Sequence, residues 1–136
     1  MVQRLQIKLL EGWCQATQDG PITYLRGSSS GALQFSFAQP RPDVVINVTE
    51  QTLIGLGEKL TAKVEGRREV LRQTGVCAFG KFATLAVKGK HPRHFQVWVL
   101  SNGREFILVT HIDGENEPGD TEIAEATEIA LKTTLE

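Results

Sequence analysis

Cysteine is scarce in this 136-residue chain: only Cys14 and Cys77 are present, far apart. Neither forms a CxxC or a Cys/His spacing, which argues against a thiolate metal site or a dithiol redox site. Two buried reduced thiols are the expected state, although a Cys14–Cys77 disulfide stays open, because pairing depends on geometry that spacing does not show. Long apolar runs are also missing, and none approaches the roughly 18 residues of a membrane span. At the start, MVQRLQIKLLEGW, Lys8 and Glu11 interrupt the apolar positions and no small-residue cleavage site follows. No signal peptide is therefore expected, and a cytoplasmic location is. Catalytic signatures are absent too. There is no GxSxG turn, and the small-residue run Gly27-Ser28-Ser29-Ser30-Gly31 is followed by neither Lys-Ser/Thr nor a helix, so it reads as a hairpin loop and not a phosphate loop. With no internal repeat, low-complexity tract or composition break, residues 1–136 read as a single domain. At 40% hydrophobic residues, that domain can bury a core without staples.

What is present centres on Phe95 to Ile112, FQVWVLSNGREFILVTHI. Two apolar runs flank Ser101-Asn102-Gly103-Arg104, and Asn-Gly in that setting predicts a hairpin with a type I′ turn, positive φ falling on Asn102 and Gly103. Both arms are apolar at nearly every position, which predicts a central place in a sheet covered on both faces. Upstream, Leu5, Ile7 and Leu9 alternate with Arg4, Gln6 and Lys8, predicting a strand over 3–10. A turn at Asp19-Gly20-Pro21 and strands over 22–26 and 32–38 follow, the last with Leu33, Phe35 and Phe37 on one face and closed by Gln39-Pro40-Arg41-Pro42. Val44-Val45-Ile46 reads as an apolar linker.

Asn47-Val48-Thr49 matches a glycosylation sequon, but with Glu50 it has capping-box spacing and reads as a helix start near Asn47 or Thr49. Leu53, Leu56, Leu60 and Val64 then form one apolar stripe, and Gly66 would cap the helix end. Gly55 and Gly57 weaken that helix by about 1 kcal/mol each, which points to a tight approach to the sheet or to a helix less regular than its pattern. Strand character returns at Val70-Leu71, 76–79 and 82–87, punctuated by Gly75, Gly80 and Gly89. After a loop over 113–119, Asp120 or Thr121 caps a last helix, with Ile123, Ala126, Thr127, Ala130 and Leu131 as its buried stripe.

The formal net charge of −1 conceals an asymmetry. Residues 1–112 hold 14 Lys/Arg against 8 Asp/Glu, while residues 113–136 hold Lys132 against eight acids. The acidic end reads first as a solvated helix face and loop, and alternatively as a site for something basic, this domain's own body included. The basic stretch Lys88-Gly89-Lys90-His91-Pro92-Arg93-His94 precedes the hairpin and the acidic loop follows it, so both leave the sheet at the end opposite the turn. That juxtaposition marks a candidate interaction surface of Lys88, Lys90, Arg93, His94, Asp113, Glu115, Glu122 and Glu125.

Other candidates are weaker. His91 and His94 have HxxH spacing, but a zinc site needs three or four ligands and the neighbouring cations oppose one, so no metal is expected. Lys88, Lys90 and Arg93 with Arg67 and Arg68 could hold phosphate, yet no aromatic interleaves them, so nucleic acid is not the expected partner. His111 would need a nucleophile and an orienting acid to be catalytic, and only Cys77 and Asp113 are on offer; a strand-end histidine with a structural hydrogen bond is the plainer reading. Trp98 is either core or, with His111, the lining of a small-molecule pocket. No catalytic residue and no cofactor are assigned.

Trp98, the Ser101-Asn102-Gly103-Arg104 turn, Phe106-Ile107-Leu108 with Thr110, and a closing helix with an acidic start together resemble the PsbP-like fold group. That group holds extrinsic photosystem II proteins, DcrB-type lipoproteins and Ran-binding import factors. The resemblance implies an α/β/α sandwich and a binding or assembly role without catalysis, and carries over no functional residue. The expectation is thus an α+β fold with a central twisted antiparallel sheet of about six to seven strands and helices over 49–65 and 121–134. Its expected function is protein interaction of adaptor or immunity type, the partner being a protein, another copy of the chain included, and not a membrane.

Overall fold

A computed structural model describes residues 5–17, 22–27, 29–39 and 47–136. The expected turn at 19–21, the proline-rich strand end and the 44–46 linker lie outside these residues. The described residues hold nine strands and two helices, in the order β1 (Leu5–Gln6), β2 (Trp13–Thr17), β3 (Ile22–Arg26), β4 (Ala32–Ala38), α1 (Glu50–Thr61), β5 (Arg68–Cys77), β6 (Gly80–Lys88), β7 (His94–Ser101), β8 (Phe106–Asp113), α2 (Asp120–Lys132) and β9 (Thr134–Leu135). Seven strands make one antiparallel sheet in the order β2-β3-β4-β8-β7-β6-β5, and β1 pairs with β9 in a separate ribbon. The β7–β8 hairpin is central, as its two-sided apolar pattern requires.

The period of two in β7 and β8 sorts the core into two layers. Trp98, Leu100, Ile107 and Val109 join Leu33 and Phe35 of β4 and Trp13 of β2 against Ala126, Ile129 and Ala130 of α2. On the opposite face Val97, Val99 and Phe106 join Ala83 and Leu85 of β6 against Leu53 of α1. The result is the helix–sheet–helix sandwich that the resemblance to the PsbP-like fold group implies.

Local expectations fared unevenly. β3 and β4 have the predicted limits, and Leu33 and Phe35 are buried. The first strand is a two-residue piece, Leu9 is exposed, and the strand that enters the main sheet instead begins at Trp13. The central turn is not type I′, because among the described residues only glycines have positive φ; Gly103 sits at +98° and Asn102 does not. Ser101 pairs with Phe106, leaving a longer loop in which Asn102 Oδ1 accepts from the amides of Arg104 (3.0 Å) and Glu105 (2.8 Å). The asparagine acts through its side chain, holding the turn as an Asx cap.

Of the two expected starts of helix α1, Asn47 and Thr49, the chain takes the second. Thr49 is the N-cap, and its hydroxyl and that of Thr52 form the reciprocal pair. The helix ends at Thr61 with Ala62 as C-cap, so Gly66, at φ +69°, belongs to the following connection. Gly57 does mark a close approach: a Cβ there would lie 2.7 Å from Leu85 Cδ1, whereas Gly55 faces open space. The strand fragments before and after Gly75 are one ten-residue edge strand, β5, with a bulge between Glu69 and Leu71. Helix α2 is capped by Gly119, with no side-chain cap bond, and its buried face includes Ile129 and Glu122 in addition to the expected alanines. Cys14 and Cys77 are free thiols on the two opposite edge strands. Six inter-strand steps put them roughly 29 Å apart across the sheet, far beyond disulfide reach.

Candidate functional site at the charged end of the sheet

Toward the Asn102-Gly103 turn, the α2 face of the central hairpin is apolar. Toward the opposite end it becomes polar in step with the register. Gln96 stands across from His111 and His94 across from Asp113, all four pointing to the α2 side with Trp98 and Val109. His111 is completely buried, and its Nε2 lies 2.7 Å from Glu122 Oε2 in the first turn of α2. Gly31, at the start of β4, makes this contact possible, since a Cβ there would sit 2.7 Å from the Glu122 oxygen and 2.8 Å from His111 Cε1. The His94 ring packs edge-on against His111 at 5.2 Å, and Trp13 meets His111 at 6.5 Å.

Two more carboxylates are drawn into the fold nearby. Asp113, 1% exposed, accepts from the Ser30 hydroxyl (2.8–2.9 Å) and from the amides of Glu115 (3.1 Å) and Asn116 (2.9 Å). Glu125, one turn beyond Glu122 on α2, accepts from Trp13 Nε1 (2.8 Å) and from Arg26 Nε (3.0 Å). These contacts pin β2, the β3–β4 loop and the start of α2 to one end of the sheet. Gln96 meanwhile donates to Thr84 Oγ1 (3.0 Å), which donates to the Val97 carbonyl (2.9 Å).

Burial sets the proton chemistry of the histidines. It pushes His94 down to about 4, helped by His111 and Lys88 and opposed by Asp113 and Glu117. It also lowers His111, although the Glu122 carboxylate pulls the other way. At neutral pH His111 is therefore a neutral imidazole donating its Nε2 proton to Glu122. Burial pushes the Asp113 carboxyl up, but the donors from Asn116, Ser30 and Glu115 outweigh it and hold the group below its ordinary value. His94 Nε2, His111 Nδ1 and Trp98 Nε1 have no hydrogen-bond partner among the described residues.

These positions sort the residues singled out from sequence. His94, Asp113 and Glu122 are buried, and Glu125 is half-buried and engaged with Arg26, so these four belong to the internal network and not to a surface. For His94 and Asp113 the reason is the register, which turns the even positions of β7 and the odd positions of β8 toward α2. Lys88, Lys90, Arg93 and Glu115 do lie at the surface, with Lys88 half-buried. The two loops meet as their connectivity requires, for Lys88 Nζ pairs with Glu117 at 3.2 Å. Trp98 and His111 are both 0% exposed, which places them inside the core under α2 and not on an open wall. Cys77 is not brought to His111. It pairs with Gly80 near the hairpin-turn end, and burial pushes its thiol up, away from the thiolate a nucleophile needs. Among the described residues no cluster of three or more His, Cys, Asp or Glu side chains has metal-binding geometry. His111 has the structural hydrogen bond expected of it, but its partner Glu122 and the Ser30–Asp113 bond were not foreseen; a glycine beside a strand facing a helix carboxylate is the one signal that bears on the former.

No protein-family model and no curated protein matches the chain. Solved structures do. LpqN of Mycobacterium tuberculosis, described as involved in cell envelope biogenesis, superposes with a TM-score of 0.68 at 13% identity, covering 98% of this chain and 84% of its own. The cyanobacterial PsbP (CyanoP) of Synechocystis sp. PCC 6803 superposes with a TM-score of 0.61 at 11% identity, covering 98% and 92%. At such identities the likeness concerns the fold, and this chain has the PsbP-like fold.

Proposed function

We propose that this chain is a non-enzymatic protein-interaction domain of adaptor or immunity type whose contact surface is the charged end of the sheet. One observation carries the reading. The basic 88–94 loop and the acidic 113–119 loop stand side by side, joined by Lys88–Glu117, while Lys90, Arg93, Glu115 and Asp120 are exposed around that bridge. The buried groups behind them are committed to one another: His111 to Glu122, and Asp113 to Ser30 and two backbone amides. These buried bonds serve to hold the two loops in place, and the exposed charges serve recognition. The shared fold with LpqN, a protein described as involved in cell envelope biogenesis, is in keeping with an accessory role.

Affinity capture with a Lys90→Glu, Arg93→Glu, Glu115→Lys triple variant tests this. All three sites are exposed, so the fold should persist by circular dichroism while the partners are lost. Recovery of the same partners in the same amounts would refute the reading.

A further inference from the structure

The 88–94 loop does not stand alone. Its backbone is locked to the connection between α1 and β5: the Lys90 amide donates to the Glu65 carbonyl at 2.8 Å, and Glu65 bridges His91. Gly89 fits only because it lacks a Cβ, which would lie 2.5 Å from Val64 Cγ1. Two stretches distant in sequence thus form one rigid surface. Their charges are almost all of one sign: Lys63, Arg67, Arg68, Lys88, Lys90 and Arg93 against Glu65 as the single acid.

Much of that charge is not neutralised within the fold. Arg68 stands directly across the ladder from Lys88, a like-charge pairing that disfavours the sheet unless something offsets it. Lys88 is offset by Glu117. Glu69 lies 3.8 Å from Arg67 but 2.7 Å from Arg72, so its bond belongs mainly to the latter. Lys63, Arg68, Lys90 and Arg93 have no ion pair among the described residues.

We infer that residues 63–68 and 88–93 form one docking surface for a short acidic segment of a partner protein. The inference rests on the protein-interaction reading and names the chemistry of the partner. The shortness follows from the borders. Glu115 and Glu117 flank the cations on one side, and Glu58 with Glu69, bound to Arg72, flank them on the other. A polyanion such as nucleic acid, with charge continuing in both directions, would run onto those carboxylates, whereas a few consecutive acids fit between them.

The test is an amide chemical-shift titration of the labelled full chain with an octaglutamate peptide, and in parallel with a 15-mer oligothymidylate, both at low salt. Octaglutamate should give saturable shifts concentrated at 63–68 and 88–93. An Arg68→Glu, Arg93→Glu variant, both positions exposed, should bind it at least fivefold more weakly, and the oligothymidylate should bind the native chain more weakly than the peptide does. Absent or scattered shifts, equal binding by the variant, or tighter binding of the oligothymidylate would each overturn the inference. If the peptide leaves these amides unmoved while the capture variant described above still loses its partners, the acidic-segment inference falls and the protein-interaction reading stands.

Discussion

Acid should loosen the charged end of this fold well before it affects the rest, and His94 sets the size of the effect. In the folded chain His94 titrates at about 4, against 6.5 for an ordinary histidine. A lowered histidine pKa means that the unfolded chain binds more protons, so stability is complete above pH 6.5 and is lost as pH falls toward 4. At about 1.4 kcal/mol per pKa unit, His94 alone removes about 2 kcal/mol between pH 7 and pH 5 and about 3 kcal/mol by pH 4. The groups around it are His111 and Asp113 on β8, Lys88 on β6 and Glu117 in the following loop. His111, lowered too, contributes in the same direction. The depressed carboxylates Asp113, Glu69 and Glu125 contribute only as pH falls below their ordinary values of 3.8 to 4.5, so the window from 6.5 to 5 belongs to the histidines. Urea unfolding at pH 7 and pH 5 reads this directly, as a midpoint lowered by roughly 1 M for a domain of this size. A His94→Gln variant, uncharged throughout, should lose markedly less over the same interval. Equal losses in the two proteins, or a His94 resonance that titrates near 6.5, would refute the reasoning.

Other substitutions probe the packing. Gly57→Ala should destabilise by about 1–3 kcal/mol in thermal or urea unfolding, because its Cβ meets the fully buried Leu85, whereas Gly55→Ala, in open space, should stabilise α1 by up to about 1 kcal/mol. Gly31→Ala should push Glu122 from His111 and lower stability by about 2 kcal/mol, with the His111 ring resonances displaced. Glu125→Ala removes the acceptor of both Trp13 Nε1 and Arg26, and should shift the Trp13 indole N–H resonance while leaving that of Trp98 in place.

The parts of the fold that were legible in sequence are those where one local signal agrees with the tertiary setting. The β7–β8 hairpin is apolar on both faces and does occupy the centre of the sheet, and the alternation of Leu33, Phe35 and Phe37 marked β4 to its limits. Misreadings arose where two local signals competed. The alternation of Leu5, Ile7 and Leu9 outweighed Trp13, yet Trp13 is the residue α2 and Arg26 hold in place. Asn47 and Thr49 both offered a helix cap, and the hydroxyl pair of Thr49 and Thr52 won. Asn-Gly suggested a two-residue turn, but Asn102 uses its carbonyl to cap a longer one. A structural hydrogen bond at His111 was expected from its place at a strand end, but its partner Glu122 was not legible, since it depends on the rotation of α2 about its axis and on the missing side chain at Gly31. Neither is a property of a local window.

That rotation also changes what the chain's charge asymmetry means. Read as a string, residues 113–136 are a strongly acidic tail facing a basic body. In the fold, Asp113 and Glu122 are buried, Glu117, Glu125 and Glu128 pair with Lys88, Arg26 and Lys132, and Glu115, Asp120 and Glu136 have no such partner among the described residues. Five of the eight acids are thus buried or paired within the domain, two of them, Glu117 and Glu125, with cations of the basic body. The converse does not hold, because the cations of 63–68 and 88–93 outnumber the acids that reach them. A surface that remains positive after the fold has satisfied its own acids favours association with negative charge from outside, and more so at low ionic strength. On the inference that residues 63–68 and 88–93 are a docking surface, the charge offered to a partner there is basic, although the most conspicuous charged segment of this nearly neutral protein is acidic.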